Sequence, residues 1–210
     1  MANTVPFPGD VSVGGNLRVV GDIQPAKDKA DILALAELQP FIIPWTAWRV
    51  WNALHTNLPG TPLTDDLGLV GGTFATASPS IQTEDLKAAG ATTSYARACV
   101  PLPWDYAAGQ TVTARFHAGM LTTISDGTAT LDLQCYETDE EVGISADICA
   151  TAAQSINSVT LADIDFTITP TALTAGDLLD MRIAIAINDA ATGTAVIGCV
   201  GAAKLLCDVR

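Results

Sequence analysis

The stretch that decides the fold is residues 175–210, AGDLLDMRIAIAINDAATGTAVIGCVGAAKLLCDVR. From Asp180 to Ile187, aliphatic residues alternate with Asp, Arg and Ala, and a period of two is typical of a half-buried β-strand. The turn-forming segment Asn188–Gly193 follows, and Thr194–Val209 is long and apolar enough to run back along the first strand. This pattern predicts a terminal β-hairpin that forms the central pair of strands in a sandwich.

Similar alternation occurs earlier in the chain, most clearly at Gln110–His117 and Thr128–Tyr136, and a further strand is predicted at about Thr93–Val100. After Ser158 the alternation slips by one near Ala162-Asp163, which indicates a β-bulge or a strand break. Roughly six to eight antiparallel strands and frequent turn signals are expected, with no long amphipathic helix after residue 60. The sequence therefore predicts an all-β fold, an antiparallel, jelly-roll-like β-sandwich with aliphatic inner faces.

Three regions are predicted along the chain. Residues 1–27 form an extended N-terminal arm, residues 28–57 a short helical, tryptophan-rich connector, and residues 58–210 the β-sandwich domain. The arm carries a repeat of period six from Gly9 to Ile23, in which glycine is followed by Asp or Asn and then by an aliphatic residue. This repeat is too short to bury a core by itself. Three chains, or the surface of a partner, would therefore complete its apolar interior. A chance repeat in an extended arm is the alternative.

The connector contains three tryptophans spaced by three, Trp45, Trp48 and Trp51. On a helix this spacing gathers the rings towards one side. Such a stripe is typical of a core or a subunit interface. Stacking against a sugar is the alternative, because aromatic faces also bind pyranose rings.

Composition excludes several classes of partner. The chain has 23 acidic and 10 basic residues and a formal net charge of −13, whereas binding a phosphate backbone requires clustered Lys and Arg, so nucleic acid is not expected as a partner. The N-terminus does not resemble a signal peptide, and no apolar run is long enough to span a membrane.

The five cysteines lack CxxC spacing and are predicted to be buried free thiols made in a reducing compartment: Cys99, Cys135, Cys149, Cys199 and Cys207.

Little in the sequence indicates catalysis, and the chain is predicted not to be an enzyme and to have no cofactor or metal. His55 and His117 are the two histidines, and neither stands in a metal-ligand spacing. Asp163 and Asp165 would share a strand face like a glycosidase carboxylate pair, but an acidic chain offers such pairs by chance. Calcium binding by Glu137–Glu141 is a further alternative, although the run lacks the EF-hand pattern.

Two stretches of the sandwich region carry a family resemblance: LPWDYAAGQTVTARFHAG at 102–119 and TALTAGDLLDMRIAIAINDAATGTAVIG at 171–198. In their turn-to-strand phrases they resemble β-sandwich structural proteins of tailed phages, specifically capsid decoration or cement proteins. The Gly-Asn-Leu-x-Val pattern at 15–19 is similar to repeats near the ends of phage fibres and spikes. The resemblance implies a homotrimer on the outer capsid surface of the virion, made in the host cytoplasm, that binds the major capsid protein and has no catalytic residues.

On this hypothesis the trimer and capsid contacts come from the aliphatic residues of the arm and from the connector tryptophans: Val11, Val13, Leu17, Val19, Ile23, Trp45, Trp48 and Trp51. The alternative is a receptor-binding or carbohydrate-binding head of a phage fibre or spike. In that case the outer loops and the aromatic residues Trp104, Tyr106 and Tyr136 would carry the function. A glycoside hydrolase or lyase acting through one acidic pair is the third hypothesis.

Overall fold

The computed structural model describes residues 38–87, 90–138, 143–190 and 193–209. The N-terminal arm, with its repeat, lies outside the described residues. So do five of the predicted interface residues, namely Val11, Val13, Leu17, Val19 and Ile23.

The regular secondary structure of the described residues is β-strand, apart from a single 3-10 turn at Trp45–Ala47. The strands are β1 Gln39–Ile42, β2 Arg49–Val50, β3 Ala53–Asn57, β4 Gly68–Val70, β5 Ser80–Gln82, β6 Gly90–Pro101, β7 Val112–Met120, β8 Thr128–Thr138, β9 Gln154–Ser155, β10 Ala162–Ile168, β11 Leu178–Asp189 and β12 Gly198–Cys207.

These strands form two six-stranded sheets, and their pairings are antiparallel. Sheet A has the order β10-β7-β12-β5-β4, with β1 also paired to β12, and sheet B has the order β3-β2-β6-β11-β8-β9. The long strands β6, β7, β8, β10, β11 and β12 alternate between the two sheets, so the chain crosses the sandwich at each step. The prediction of an all-β, jelly-roll-like antiparallel sandwich is confirmed.

The prediction of a terminal hairpin is wrong, because β11 and β12 belong to different sheets. In sheet B, β11 lies between β6 and β8, whereas in sheet A β12 lies between β7 on one side and β5 and β1 on the other. The connection after β11 bonds to another part of the chain: Leu86 N–H donates to the Val196 carbonyl at 2.9 Å, and Val196 N–H donates to Asp85 Oδ1 at 3.0 Å. The chain therefore passes from sheet B to sheet A between β11 and β12.

The inward faces predicted from alternation are confirmed, whereas Thr113 and Asp180, which were predicted to face outwards, are also buried. The inward residues of β7, β8 and β11 are all buried, namely Val112, Ala114, Phe116, Ala129, Leu131, Leu133, Cys135, Met181, Ile183, Ile185 and Ile187. The slip of phase near Ala162 is a strand break, because β10 begins at that residue. Burial of this continuous apolar interior is the main favourable term that holds the two sheets together.

The described part of the predicted connector, from Leu38 to Asn57, differs from the expected helix. Its regular elements are the 3-10 turn and strands β1, β2 and β3. Strand β1 belongs to sheet A, and strands β2 and β3 belong to sheet B. Pro40 and Pro44 lack the backbone N–H that a continuing helix needs, and Phe41-Ile42-Ile43 between them favours an extended strand. Residues from Leu38 onwards therefore belong to one structural unit with the sandwich.

Candidate functional site

The three tryptophans expected to line one helix face lie in different environments. Trp48 is only 1% exposed and packs in the core, with its ring centroid 6.1 Å from that of Phe116. Trp45 is partly buried against the same core. Trp51 lies in the turn between β2 and β3, where it lines a cleft on the outer face of sheet B. Trp48 is therefore part of the core, and Trp51 is part of the cleft lining.

This outer-face cleft has a volume of about 300 Å³ and collects aromatic and polar side chains from four parts of the chain. Strand alternation places its residues on the solvent side of β6, β8 and β11, because the intervening residues fill the core. Arg97, Arg182 and Gln134 occupy one cross-strand row, and Tyr136 lies opposite Asp180 in the next row. The lining residues are Trp51, Asn52, Arg97, Gln134, Tyr136, Ile144, Asp180 and Arg182.

Two residues of the cleft lining, Trp51 and Arg182, pack against the ring of Tyr95 beside the cleft. The Trp51 and Tyr95 ring centroids are 5.2 Å apart at an interplanar angle of 48°. The Arg182 guanidinium carbon lies 5.3 Å from the Trp51 centroid and 4.9 Å from the Tyr95 centroid, within the range of cation–π attraction. Arg182 Nη2 also donates a hydrogen bond to Gln134 Oε1. The rings and the amide together restrict the rotamers of Arg182.

The floor of the cleft carries an ion pair between neighbouring strands. Arg97 donates two hydrogen bonds to the buried carboxylate of Asp180, from Nε to Oδ1 at 2.6 Å and from Nη2 to Oδ2. The hydrogen bond from Arg97 to Asp180 raises the pKa of the guanidinium group above its usual value. Because the fork geometry is bidentate, the pair fixes both side chains rather than leaving a mobile surface contact.

A second depression is an apolar groove of about 870 Å³ beside the cleft. It lies between residues 41–47 and residues 99–105, and two of its lining residues are strongly exposed, Ile42 at 76% and Trp104 at 88%. The Trp104 ring lies against Gly176, where an added Cβ would come within 2.8 Å of Trp104 Cζ3. Cys99 lines the groove, and its Sγ is 3.8 Å from Asp180 Oδ1 of the cleft, so the two depressions adjoin.

Tyr106 does not join the exposed aromatic residues predicted for a binding head. It is 5% exposed, and its hydroxyl donates to the Gln110 carbonyl at 2.7 Å. Trp104 and Tyr136 are accessible, in the groove and in the cleft respectively. Tyr95 is not among the residues predicted to bind a ligand. Its position between the inward-facing Ser94 and Ala96 does indicate that its side chain lies on the outer face of the strand.

The candidate carboxylate pair of sheet A contacts Arg115 and His117. Arg115 donates to Asp165 from Nε at 2.6 Å and from Nη2 at 2.7 Å, and His117 Nδ1 is 2.8 Å from Asp163 Oδ1. The hydrogen bond with His117 lowers the pKa of Asp163, whereas a glycosidase general acid needs a raised pKa. The lowered pKa of Asp163 therefore does not suit the role of a glycosidase general acid.

The cysteines of the described chain are free thiols, three of them buried and two partly buried. All five cysteines are free, and burial raises the pKa of the Cys207 thiol to about 11. Within residues 38–87, 90–138, 143–190 and 193–209, no three His, Cys, Asp or Glu side chains are grouped so that they could hold a metal ion. The same part of the chain has no helix that is long and apolar enough to cross a membrane.

Comparisons with known proteins show similarity only at the level of structure. No family model matches the sequence, and no curated protein is significantly similar to it. One similar structure is that of the CBM22-1 and GH10 modules of the N-terminal endo-1,4-β-D-xylanase 10B of Clostridium thermocellum, complexed with xylohexaose. It has a TM-score of 0.39 and 11% identity, and the match covers 82% of this chain and 28% of that chain.

Another similar structure is described as one of carbohydrate-binding modules from the β-sandwich superfamily, with a TM-score of 0.33 and 12% identity over 66% of this chain and 52% of that chain. The chain thus spans between about a quarter and about a half of the length of these neighbours. TM-scores and identities this low do not indicate a shared function.

Proposed function

We propose that this chain is a structural virion protein, a capsid decoration protein of a tailed phage that acts as a homotrimer and is not an enzyme. The observation that carries the proposal is the exposed apolar groove with Ile42 and Trp104 at its surface. Large apolar patches are uncommon on isolated soluble proteins and mark contact sites, and tryptophan is enriched among the residues that dominate binding energy. The family resemblance of residues 102–119 and 171–198 supplies the partner, the major capsid protein.

The proposed action is adhesive. A protein that binds only the assembled shell shifts the assembly equilibrium towards that shell, in proportion to its affinity and concentration. The continuous core gives the sandwich the rigidity that such a clamp needs. The N-terminal arm, including Val11, Val13 and Leu17, would bridge neighbouring subunits and complete the trimer, as proposed from its repeat.

A capsid-binding assay tests this function. Capsids of the encoding phage, stripped of the protein, are mixed with wild-type chain and with Trp104→Ala, and bound copies per particle are counted after sedimentation. The matched control is Phe74→Ala, since Phe74 is 97% exposed on a different loop. We expect Trp104→Ala to weaken capsid binding about tenfold or more, because a groove anchor is lost, and Phe74→Ala to leave it unchanged. Wild-type protein that associates with tails and not with capsids would overturn the proposal.

Carbohydrate binding, as by the head of a fibre or spike, is the second candidate function, and the outer-face cleft is the observation that favours it. Its residues Trp51 and Tyr136 offer aromatic surface, and Asn52, Gln134 and Arg182 offer hydrogen-bonding groups that suit sugar hydroxyls. A glycan array probed with the full chain and with Trp51→Ala tests it. Binding that is lost in Trp51→Ala and retained in Trp104→Ala supports a sugar site in the cleft, and an array without any bound glycan contradicts it.

A further inference from the structure

We infer that the ligand of the outer-face cleft is a carboxylate-bearing saccharide, an inference that rests on the second candidate function. The first step concerns charge. The chain as a whole carries a net charge of −13, yet the cleft is lined by two arginines and one carboxylate. Asp180 is engaged by both hydrogen bonds from Arg97, so Arg182 supplies the excess positive charge. An anionic ligand is the complement of this local field.

The second step concerns the position of Arg182. It lies directly opposite Arg97 in the antiparallel register, and like charges in such a pair destabilise a sheet. Asp180 compensates Arg97, whereas Arg182 forms no ion pair with any described residue. The contacts of Arg182 with Trp51, Tyr95 and Gln134 hold the side chain in place without neutralising its charge, so this guanidinium is available to an anionic ligand.

The third step concerns the hydrogen-bonding groups that remain. A guanidinium group has five N–H donors in a rigid fork that matches the two oxygens of a carboxylate. In the described residues Arg182 uses one of its nitrogens, Nη2, on Gln134 Oε1. The Trp51 and Tyr95 rings hold the fork in place, which reduces the entropy that a ligand's carboxylate would have to offset.

Among residues 38–87, 90–138, 143–190 and 193–209, no neighbouring charged group pairs with Arg182. Asp132 lies on the next row of the same face, opposite Ala184, and forms no ion pair with Arg182. Arg49 continues the row beyond Arg97, but it donates to the Trp48 carbonyl and lines another depression. The cleft therefore combines aromatic surface, which suits a pyranose ring, with one preorganised guanidinium that no carboxylate of the described residues neutralises, which suits the acid group of a uronic or sialic acid.

Calorimetric titration of the full chain tests the inference with three probes: an oligogalacturonate, its methyl ester, and sialyllactose. The ester keeps the ring and loses the charge, and sialyllactose separates the two sources of a sugar carboxylate. We expect at least one acidic probe to bind about tenfold or more tightly than the ester. Arg182→Gln should abolish that preference, because a tenfold change corresponds to about 1.4 kcal/mol, within reach of one charge-assisted pair.

Arg115→Gln is the matched control, since it removes the same charge from the outer face of sheet A, and it should retain the preference. Arg182→Lys keeps the positive charge but loses the planar guanidinium group, so it should retain only part of the preference for the acid over the ester. This variant separates the effect of charge from that of geometry, and it keeps the test valid if Arg182→Gln folds poorly. Equal binding of acid and ester overturns the acidic-sugar inference and leaves carbohydrate binding intact. If none of the three probes binds and the glycan array is also empty, both the inference and the second candidate function are rejected.

Discussion

Replacing Gly198 with alanine tests whether β11 and β12 face each other across the core rather than pair as a hairpin. A Cβ atom at position 198 would lie 2.7 Å from Ile185 Cγ2 and 3.3 Å from Ile187 Cδ1. Both isoleucines are buried, and protein interiors are too closely packed to absorb a new methyl group without moving side chains. The substitution should therefore reduce the free energy of unfolding.

The size of the loss follows from two opposing contributions. Overpacking a well-packed core costs about 1–3 kcal/mol. Alanine also restricts the unfolded chain, which offsets the cost by about 0.4–1 kcal/mol where the backbone is compatible, and Gly198 is not among the glycines with positive φ. We expect a net loss of about 1–2 kcal/mol.

Urea unfolding of the full chain measures this loss. Gly60→Ala is the control, since an added Cβ there meets no atom within 4 Å and Gly60 does not have a positive φ. Ile185→Leu removes the Cγ2 methyl group while conserving volume, at a cost below about 1.5 kcal/mol. In the Ile185→Leu background, Gly198→Ala should cost less by at least about 0.5 kcal/mol, the coupling expected of residues in contact.

Two results would refute the reasoning. One is a Gly198→Ala variant as stable as Gly60→Ala. The other is a cost for Gly198→Ala that is the same with Ile or Leu at position 185. Either result would mean that residues 198 and 185 are not in contact, as expected if β12 lay beside β11 in one sheet.

Three further predictions concern the core, the thiols and pH. Ile183→Asp buries an unpaired charge and should yield no soluble folded protein by circular dichroism, whereas the outward-facing Ala186→Asp, opposite Thr93 and Thr130, should fold; a folded Ile183→Asp would contradict the core assignment. Because burial raises the pKa of Cys207 to about 11, Ellman's reagent at about pH 8 should label Cys207 only after unfolding, and rapid labelling in the native state would argue against its burial. The hydrogen bond with His117 lowers the pKa of Asp163, so its contribution to stability is present above its unfolded pKa, near about 4, and is lost as pH falls through the lower folded value. Asp163→Asn should therefore reduce the loss of stability in urea unfolding between about pH 4 and pH 2, and an unchanged pH slope would contradict this.

Much of the fold could be predicted from local patterns. The inward faces of β7, β8 and β11 follow from alternation alone, because a pleated strand sends successive side chains to opposite sides. The start of β10 at Ala162 was visible as a slip in phase. Alternation does not reveal which strand lies alongside, however. Whether β12 pairs with β11 depends on the path of the chain after β11. Val196 in that connection forms hydrogen bonds with Leu86 and Asp85, and β12 then pairs within sheet A.

The candidate site was harder to predict than the fold. Spacing by three grouped Trp45, Trp48 and Trp51, but that grouping holds only on a helix, and Pro40 and Pro44 favour extended chain there. The cleft joins residues that are distant in sequence, such as Arg97 and Asp180, and their adjacency arises from the register of β6 on β11. Nothing local to either residue indicates the pairing.

By itself, the sequence determined the all-β class, the buried faces and the free state of the cysteines, because each depends on a residue's own chemistry and its near neighbours. Only the tertiary structure decided that the strands of residues 175–210 divide between two sheets, that Trp48 is in the core while Trp51 lines the cleft, and that Arg182 lies beside Arg97. These features depend on strand register and on the crossing of the chain between sheets. Both are set by long-range packing of the whole core, which no short stretch of sequence encodes.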